Sequence, residues 1–343
     1  GLTPNIDKFA NSATVVDNYF NHTAATFRGL HGQLASGYPF IGGSMEGGWA
    51  RGENYKQLQL RKYSTLPDIL RSEGYSTYFF SPHMDSNQLN SMLRSLGFDQ
   101  VLSYSDIVDK YLPEGSERIN MIDDRGLFKS VIRFLEDRED ESDPFFLATY
   151  NIGTHAMFDS PDSAEKFGDG SNQVLNRFYN FDKAFGEFLD YFKKSDFRKN
   201  TILILTADHA TYPEPAYVEI IQDDTFKPFF VDQIPFIVYV PSGELPKEID
   251  AKVKSSIDFA PTLLHLLGVN KAKNSFVGRS IFDSRIDQGV AFAAIGGNFY
   301  LLRDDEILAY QNIVGGRDRR IAERMINFVR QYYALEREGR IFD

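Results

Sequence analysis

Four unbroken apolar runs constrain this chain more than any other feature: Thr77-Tyr78-Phe79-Phe80, Pro144 to Tyr150, Thr201 to Thr206, and Ile234 to Val240. Each has the length of a strand, and none alternates apolar with polar residues, so both faces of each must be covered. Helical patterns stand between them. Leu66 to Gly74 reads as a helix ended by a C-cap glycine, and Arg177 to Lys194 places Phe178, Phe181, Phe185, Phe188, Leu189 and Phe192 at helical spacing. Strands and helices in this order suit βαβ winding. The expected fold is α/β, with a mostly parallel central sheet and helices on both faces.

From about Pro235 the elements shorten: Ser256 to Gly268, then alternating residues around Val290 to Tyr310, then an amphipathic stretch from Arg320 to Glu338. Residues 1–235 are expected to form the main domain, and residues 236–343 to complete its core and add a smaller α+β subdomain. A chain of 343 residues can bury either one large core or a large and a small one. Gly29 to Gly52 contains eight glycines and reads as an irregular loop, either beside a functional site or as a mobile surface excursion. Acidic Glu136 to Asp143 reads as a solvated helix end. The 30 Phe and 18 Tyr are spread through apolar runs and read as core residues.

Composition removes several function classes. A net charge of −11 argues against nucleic-acid binding, which needs clustered Lys and Arg. With no cysteine there is no disulfide, thiolate zinc site or cysteine nucleophile. No run approaches the roughly 20 apolar residues of a membrane span. Gly1-Leu2-Thr3-Pro4 reads like the middle of a loop, so the chain is expected to be a portion of a longer protein.

Chemistry is expected first at Asp208-His209, directly after the Thr201 to Thr206 run. In open α/β sheets ligands gather outside the carboxyl ends of strands, where a carboxylate beside an imidazole can bind a metal. That donor pair suits Mn²⁺ or Zn²⁺, whereas Mg²⁺ prefers more oxygen. A cap and a hydrogen-bonded turn would place the same two residues there.

Five segments in order carry a resemblance. They are Thr3-Pro4-Asn5-Ile6-Asp7-Lys8-Phe9-Ala10; Gly74-Tyr75-Ser76-Thr77 with Gly97-Phe98-Asp99; Asn200 to His209; Ile234 to Tyr239; and Ile257 to Gly268. Together they resemble sulfatase-like members of the alkaline phosphatase superfamily. An alkaline phosphatase-like fold is the implication. Formylglycine sulfatases carry a C/S-x-P-x-R box that is absent here. Instead Thr26-Phe27-Arg28-Gly29, followed by Ser36 and Tyr38-Pro39, is similar to the lipoteichoic acid synthase and phosphoglycerol transferase branch, in which a Thr attacks phosphorus.

The resemblance implies Thr26, rather than Thr23, as nucleophile and metal ligand, with Asp208 and His209 as further ligands. A threonine hydroxyl needs a metal or base to become a competent nucleophile. One divalent ion is expected, Mn²⁺ first, with Mg²⁺ or Zn²⁺ as alternatives. Thr26 could instead cap the helix through Leu30 and Leu34. His155 matches the His that these transferases place beside the phosphate. His83 is similar to another substrate-side position, although Met84 replaces the family's Gly. Arg28 could clamp a phosphate or remain a solvated helix residue. His265 is expected to flank the core, and His22 and His31 to be neighbours of Thr26.

Two departures matter. The synthases' aromatic-Trp-Asn-Arg head-group stretch is replaced by Asp85-Ser86-Asn87-Gln88-Leu89-Asn90. The family's first metal-binding Glu lies on a strand preceding the Thr3-Pro4-Asn5 segment, which this chain lacks. The expected function is transfer of a phosphoglycerol- or phosphoethanolamine-type group from a phospholipid or lipid-linked donor to a glycan or glycolipid acceptor. It would act on the extracytoplasmic face of a bacterial membrane, associated through a segment absent here. The alternatives are a phosphodiesterase or other sulfatase-like hydrolase, and an inactive lipid- or protein-binding relative.

Overall fold

The computed structural model describes residues 1–38, 63–113, 121–160, 164–221, 230–283, 289–295, 297–304 and 306–341. The core strands are β1 (Thr14–Phe20), β2 (Ser76–Phe80), β3 (Gln100–Leu102), β4 (Phe145–Thr149), β5 (Leu203–Thr206), β6 (Phe236–Tyr239) and β7 (Glu248–Ser255). β2 is flanked by β3 and β4, both parallel to it. The other group runs β5-β6-β1-β7, with β7 parallel to β1 and β6 antiparallel to both of its neighbours. The core strands are thus mostly parallel, as expected; which strand is reversed is not readable from the sequence, because a continuous apolar run looks the same in either direction.

Both groups share the same two cores. Phe146, Ala148, Ile202 and Ile204 pack with Phe79, Val16, Phe236 and Val238. Their sequence neighbours Phe145, Leu147, Leu203 and Leu205 pack with Phe80 and Ile237. Side chains of one strand alternating between two cores are the signature of a sheet sandwiched by helices. The first core is closed by α2 (Thr26–Ala35), α3 (Leu66–Ser72), α4 (Gln88–Ser95) and α9 (Phe259–Leu266), the second by α6 (Asp124–Glu136) and α7 (Gln173–Lys194). α1 (Pro4–Ala10) and α5 (Tyr104–Lys110) also pack on the second core, and α8 (Pro215–Val218) follows β5. Gly74 ends α3 at φ +91°, a backbone state that only glycine adopts without strain. On α7, Phe181, Phe185, Phe188 and Phe192 stack in sequence with ring centroids 6.1–6.2 Å apart, a core stripe.

Among the described residues β4 and β5 pair along one edge only, to β2 and β6 respectively. Every residue of both is half-buried. The expected irregular loop from Gly29 is corrected, since Gly29 to Ala35 belong to α2; its remainder from Pro39 lies outside the described residues. Beyond the core, β8 (Ala291–Ile295), β9 (Asn298–Leu302) and β10 (Ile307–Ala309) form an antiparallel meander covered by α10 (Gly316–Glu338). Ser36 and Tyr38 tie α2 to this part, donating to the Ile257 carbonyl at 2.7 Å and the Phe292 carbonyl at 2.9 Å.

His22 gives this junction a pH dependence. It is fully buried, with Nδ1 2.6 Å from Ser256 Oγ. Burial, then His31 and Arg28, push its pKa down to about 3. Protonation therefore favours the unfolded chain, where the pKa is about 6.5, and stability is lost as pH falls below that value. Between pH 7 and pH 4 the His22 contribution is about 3 kcal/mol. Urea unfolding at both pH values should show a loss smaller by about that amount in His22→Gln than in the native chain.

Candidate active site

The carboxyl ends of β4 and β5 and the N-terminus of α2 meet at one place. Ala25, not Thr26, occupies the N-cap of α2 and provides no side-chain cap; Thr26 is the first helical residue. The capping explanation for Thr26 is thereby removed. Its hydroxyl lies 3.4 Å from His209 Nε2. Thr23, the other candidate register, is buried and donates to the Ala294 carbonyl at 2.8 Å, a structural bond.

His209 follows β5. Its Nδ1 lies 2.7 Å from the Ala210 carbonyl, which can only accept, so Nδ1 carries the proton and Nε2 presents a lone pair. That lone pair faces Asp208 Oδ2 at 3.4 Å and the Thr26 oxygen. A carboxylate, an imidazole nitrogen and a hydroxyl oxygen all converge here, each an oxygen or nitrogen ligand. The donors present therefore fit a divalent ion. They are also few: no group of three or more His, Cys, Asp or Glu able to hold a metal occurs among the described residues.

Close approach builds this convergence. A Cβ on Gly29 would lie 2.2 Å from the Asp208 carbonyl oxygen, so only glycine lets α2 rest on the Asp208-His209 turn. Gln33, one helical turn on, fastens the same contact by donating to the Ala207 carbonyl at 2.6 Å.

In front of Thr26 is a cavity of about 450 Å³ lined by Thr26, Phe27, His83, Ser86, Asn87, Gln88, Leu89, Ile152, His155 and Phe158. His83, beyond β2, packs its ring on Tyr150 at 5.5 Å. Burial and then His155 push its pKa down to about 4, so it meets a ligand as a neutral imidazole at pH 7. His155, on the loop after β4, donates from Nδ1 to the Ala156 carbonyl at 2.7 Å and thus also presents Nε2. Asp85 turns away, its carboxylate held by Ser103 and Ser105, whose donors keep its pKa below the usual range.

The fold thus brings together Thr26, His83, His155, Asp208 and His209. Arg28 is not among the cavity-lining residues; it is half-buried, burial lowers its pKa from the ordinary guanidinium value, and Tyr333 of α10 lies nearby. The other histidines stand apart, with His31 bonded to Tyr63 at 2.9 Å and His265 exposed against Phe282. Ser86 to Leu89 enter the lining from the segment that departs from the synthases' head-group stretch. Gly29 stood in the Thr26-Phe27-Arg28-Gly29 motif without a role assigned to it, and Gln33 carried no signal, being an ordinary helix residue.

The sequence profile of the Sulfatase family matches residues 1–269. Lipoteichoic acid synthase 1 of Bacillus subtilis (strain 168) is 25% identical over 308 residues, covering 85% of this chain and 46% of its own length. Phosphoglycerol transferase I of Citrobacter koseri is 25% identical over 228 residues, covering 63% of this chain and 29% of its own. The chain therefore spans less than half the length of these relatives. Among solved structures, the lipoteichoic acid synthase LtaP of Listeria monocytogenes superposes with a TM-score of 0.73 at 18% identity, covering 97% of this chain and 86% of that one. An alkaline phosphatase superfamily protein from Vibrio parahaemolyticus gives 0.74 at 20% identity, with 98% and 82% covered. The fold is that of the alkaline phosphatase superfamily.

Proposed function

The chain belongs to the Sulfatase family, and from that premise we propose that it is a metal-dependent transferase working through a covalent threonine intermediate. It moves a phosphoglycerol- or phosphoethanolamine-type group from a lipid donor to a glycan or glycolipid acceptor. One observation carries the reading: the Thr26 hydroxyl stands 3.4 Å from the Nε2 of His209, which in the neutral ring presents its lone pair because Nδ1 donates to Ala210. Without cysteine or a Ser-x-Pro-x-Arg box, no formylglycine can be made, which disfavours sulfate-ester chemistry.

Thr26, Asp208 and His209 would hold the ion. When bound, it lowers the hydroxyl pKa and offsets charge on the phosphoryl group. Thr26 Oγ1, its proton given to solvent, attacks phosphorus, the bond to the lipid alcohol breaks, and the leaving oxygen takes the Nε2 proton of a His155 imidazolium, which is left neutral with Nε2 open. The acceptor hydroxyl then displaces Thr26, returning its proton to His155. Two inversions retain configuration at phosphorus. His83 and the N-terminus of α2, whose N-cap Ala25 provides no side-chain cap, are placed to face the anionic group.

The described donors fall short of a complete coordination shell. β4 and β5 both run toward the site, share two cores and, among the described residues, each leave one edge unpaired. A strand seated between them would end beside Asp208, and we infer that the carboxylate implied by the resemblance arrives on such a strand. No helix among the described residues is long and apolar enough to cross a membrane. Action at the outer face of a bacterial membrane is part of this proposal and rests on the relatives.

Turnover of a soluble glycerophosphodiester tests the reaction type. With Mn²⁺ present, release of alcohol that rises with added glycan acceptor supports transfer. Equal release with water alone would make the enzyme a phosphodiesterase. Chelation with EDTA should abolish both, and Mn²⁺ should restore them.

A further inference from the structure

Three buried charged side chains that the mechanism does not use converge on the loop carrying His155. Arg177, in the second turn of α7, is 2% exposed, and donates from one terminal nitrogen to the His155 carbonyl at 2.8 Å and from the other to Glu214. Glu214, just before α8, is also buried, and its second oxygen accepts from the Met157 amide at 3.2 Å. From the other side comes Asp124, at the start of α6. Its carboxylate is buried and accepts from the Gly153 amide at 2.9 Å and from Asn151 Nδ2 at 3.1 Å. A Cβ on Gly153 would lie 2.3 Å from that carboxylate, so the loop is shaped to receive it.

What these bonds hold is specific. The His155 ring is oriented by the Ala156 carbonyl, which belongs to the peptide plane between Ala156 and Met157. Glu214 grips the amide of that same plane, and Arg177 grips the carbonyl of the plane before it. Met157, immediately after, is forced to φ +64° and left 68% exposed. None of the three charged residues lines the cavity. Buried charges are expensive to desolvate, and a well-packed apolar set would stabilise the loop at least as well. Fixed direction is what the charged set adds.

We propose that Arg177, Glu214 and Asp124 form a buried clamp that aims the His155 imidazole at the group carried by Thr26. They are positioning residues and do not touch the substrate. The role in turnover rests on the functional reading above, whereas the effect on the imidazole does not.

The test uses the full chain with Arg177→Met, Arg177→Lys, Glu214→Gln and Asp124→Asn. Two quantities are followed: the His155 tautomer by long-range ¹H–¹⁵N NMR, and kcat and KM for release of alcohol from the soluble diester. The clamp predicts a mixed His155 tautomer in Arg177→Met and Glu214→Gln, with kcat reduced about 10- to 100-fold at nearly constant KM. Mn²⁺ affinity should not change, and Arg177→Lys should recover part of the rate. A His155 signal and kcat matching the native chain in Glu214→Gln overturn the proposal, and Glu214→Gln keeps its shape if Arg177→Met does not fold. If the native chain turns over no diester, the functional reading fails and the tautomer alone decides the clamp.

Discussion

Thr26→Ala should lower turnover by at least about three orders of magnitude, equivalent to about 4 kcal/mol of activation barrier. No other hydroxyl among the lining residues is placed to replace it. Ser86 comes from the segment before α4, and Thr23 is committed to the Ala294 carbonyl. The Thr26 side chain makes no capping bond, so the melting temperature should hardly move. Thr26→Ser retains the oxygen and should keep a measurable fraction of the rate. Thr23→Ala is the opposite control: it removes a buried hydrogen bond and should reduce stability by about 1 kcal/mol with turnover intact. A pattern in which Thr23→Ala is the inactive variant would move the nucleophile three residues upstream.

Gly29→Ala is the second large effect, and two forces of opposite sign decide it. In a helix interior, alanine is favoured over glycine by about 1 kcal/mol, so an unconstrained helix would gain stability. Here the added Cβ would sit 2.2 Å from a backbone oxygen of Asp208, which cannot rotate away. Overpacking of this kind costs about 1–3 kcal/mol, so the net change should be destabilising. The helix can only relieve the clash by moving off the Asp208-His209 turn, separating Thr26 from His209. Mn²⁺ affinity should fall about 10- to 100-fold, as when the support of a ligand set is lost, and turnover should fall with it. Calorimetric titration with Mn²⁺ checks this, and unchanged affinity would mean that α2 does not set the metal site.

The strands were readable where both faces are apolar, which is why β2, β4, β5 and β6 coincide with the four runs. β1 and β7 were harder because they carry Asp17, Asn18, Asp250 and Lys252. Their pairing slips between Asp17 and Tyr19, and Asn18, Lys252 and Val253 sit at positive φ. Alternation is broken at those points, so no period survives to be read. The direction of β6 was hidden for a different reason: apolarity does not encode polarity of the chain.

In the candidate site, chemistry-bearing residues at strand ends were legible, and their setting was not. Thr26, His155, Asp208 and His209 sit where motif and strand end coincide. Arg177 and Glu214, by contrast, look like a helix charge and a loop charge, and only the packing of α7 against the His155 loop shows them to be buried. Gly29 was legible as part of the Thr26-Phe27-Arg28-Gly29 motif, but its close approach to Asp208 was not, because the partner backbone lies far away in sequence. Arg28 shows the converse, a charge beside the nucleophile whose surroundings come from α10.

The covalent step is tested most directly by intact mass. The chain, incubated with Mn²⁺ and phosphatidylglycerol or a soluble analogue and quenched in acid, should gain one transferred phosphoester group. Peptide mapping should place that mass on Thr26, and Thr26→Ala should gain none. Release of alcohol with no adduct on Thr26, or an adduct that persists in Thr26→Ala, would contradict the account.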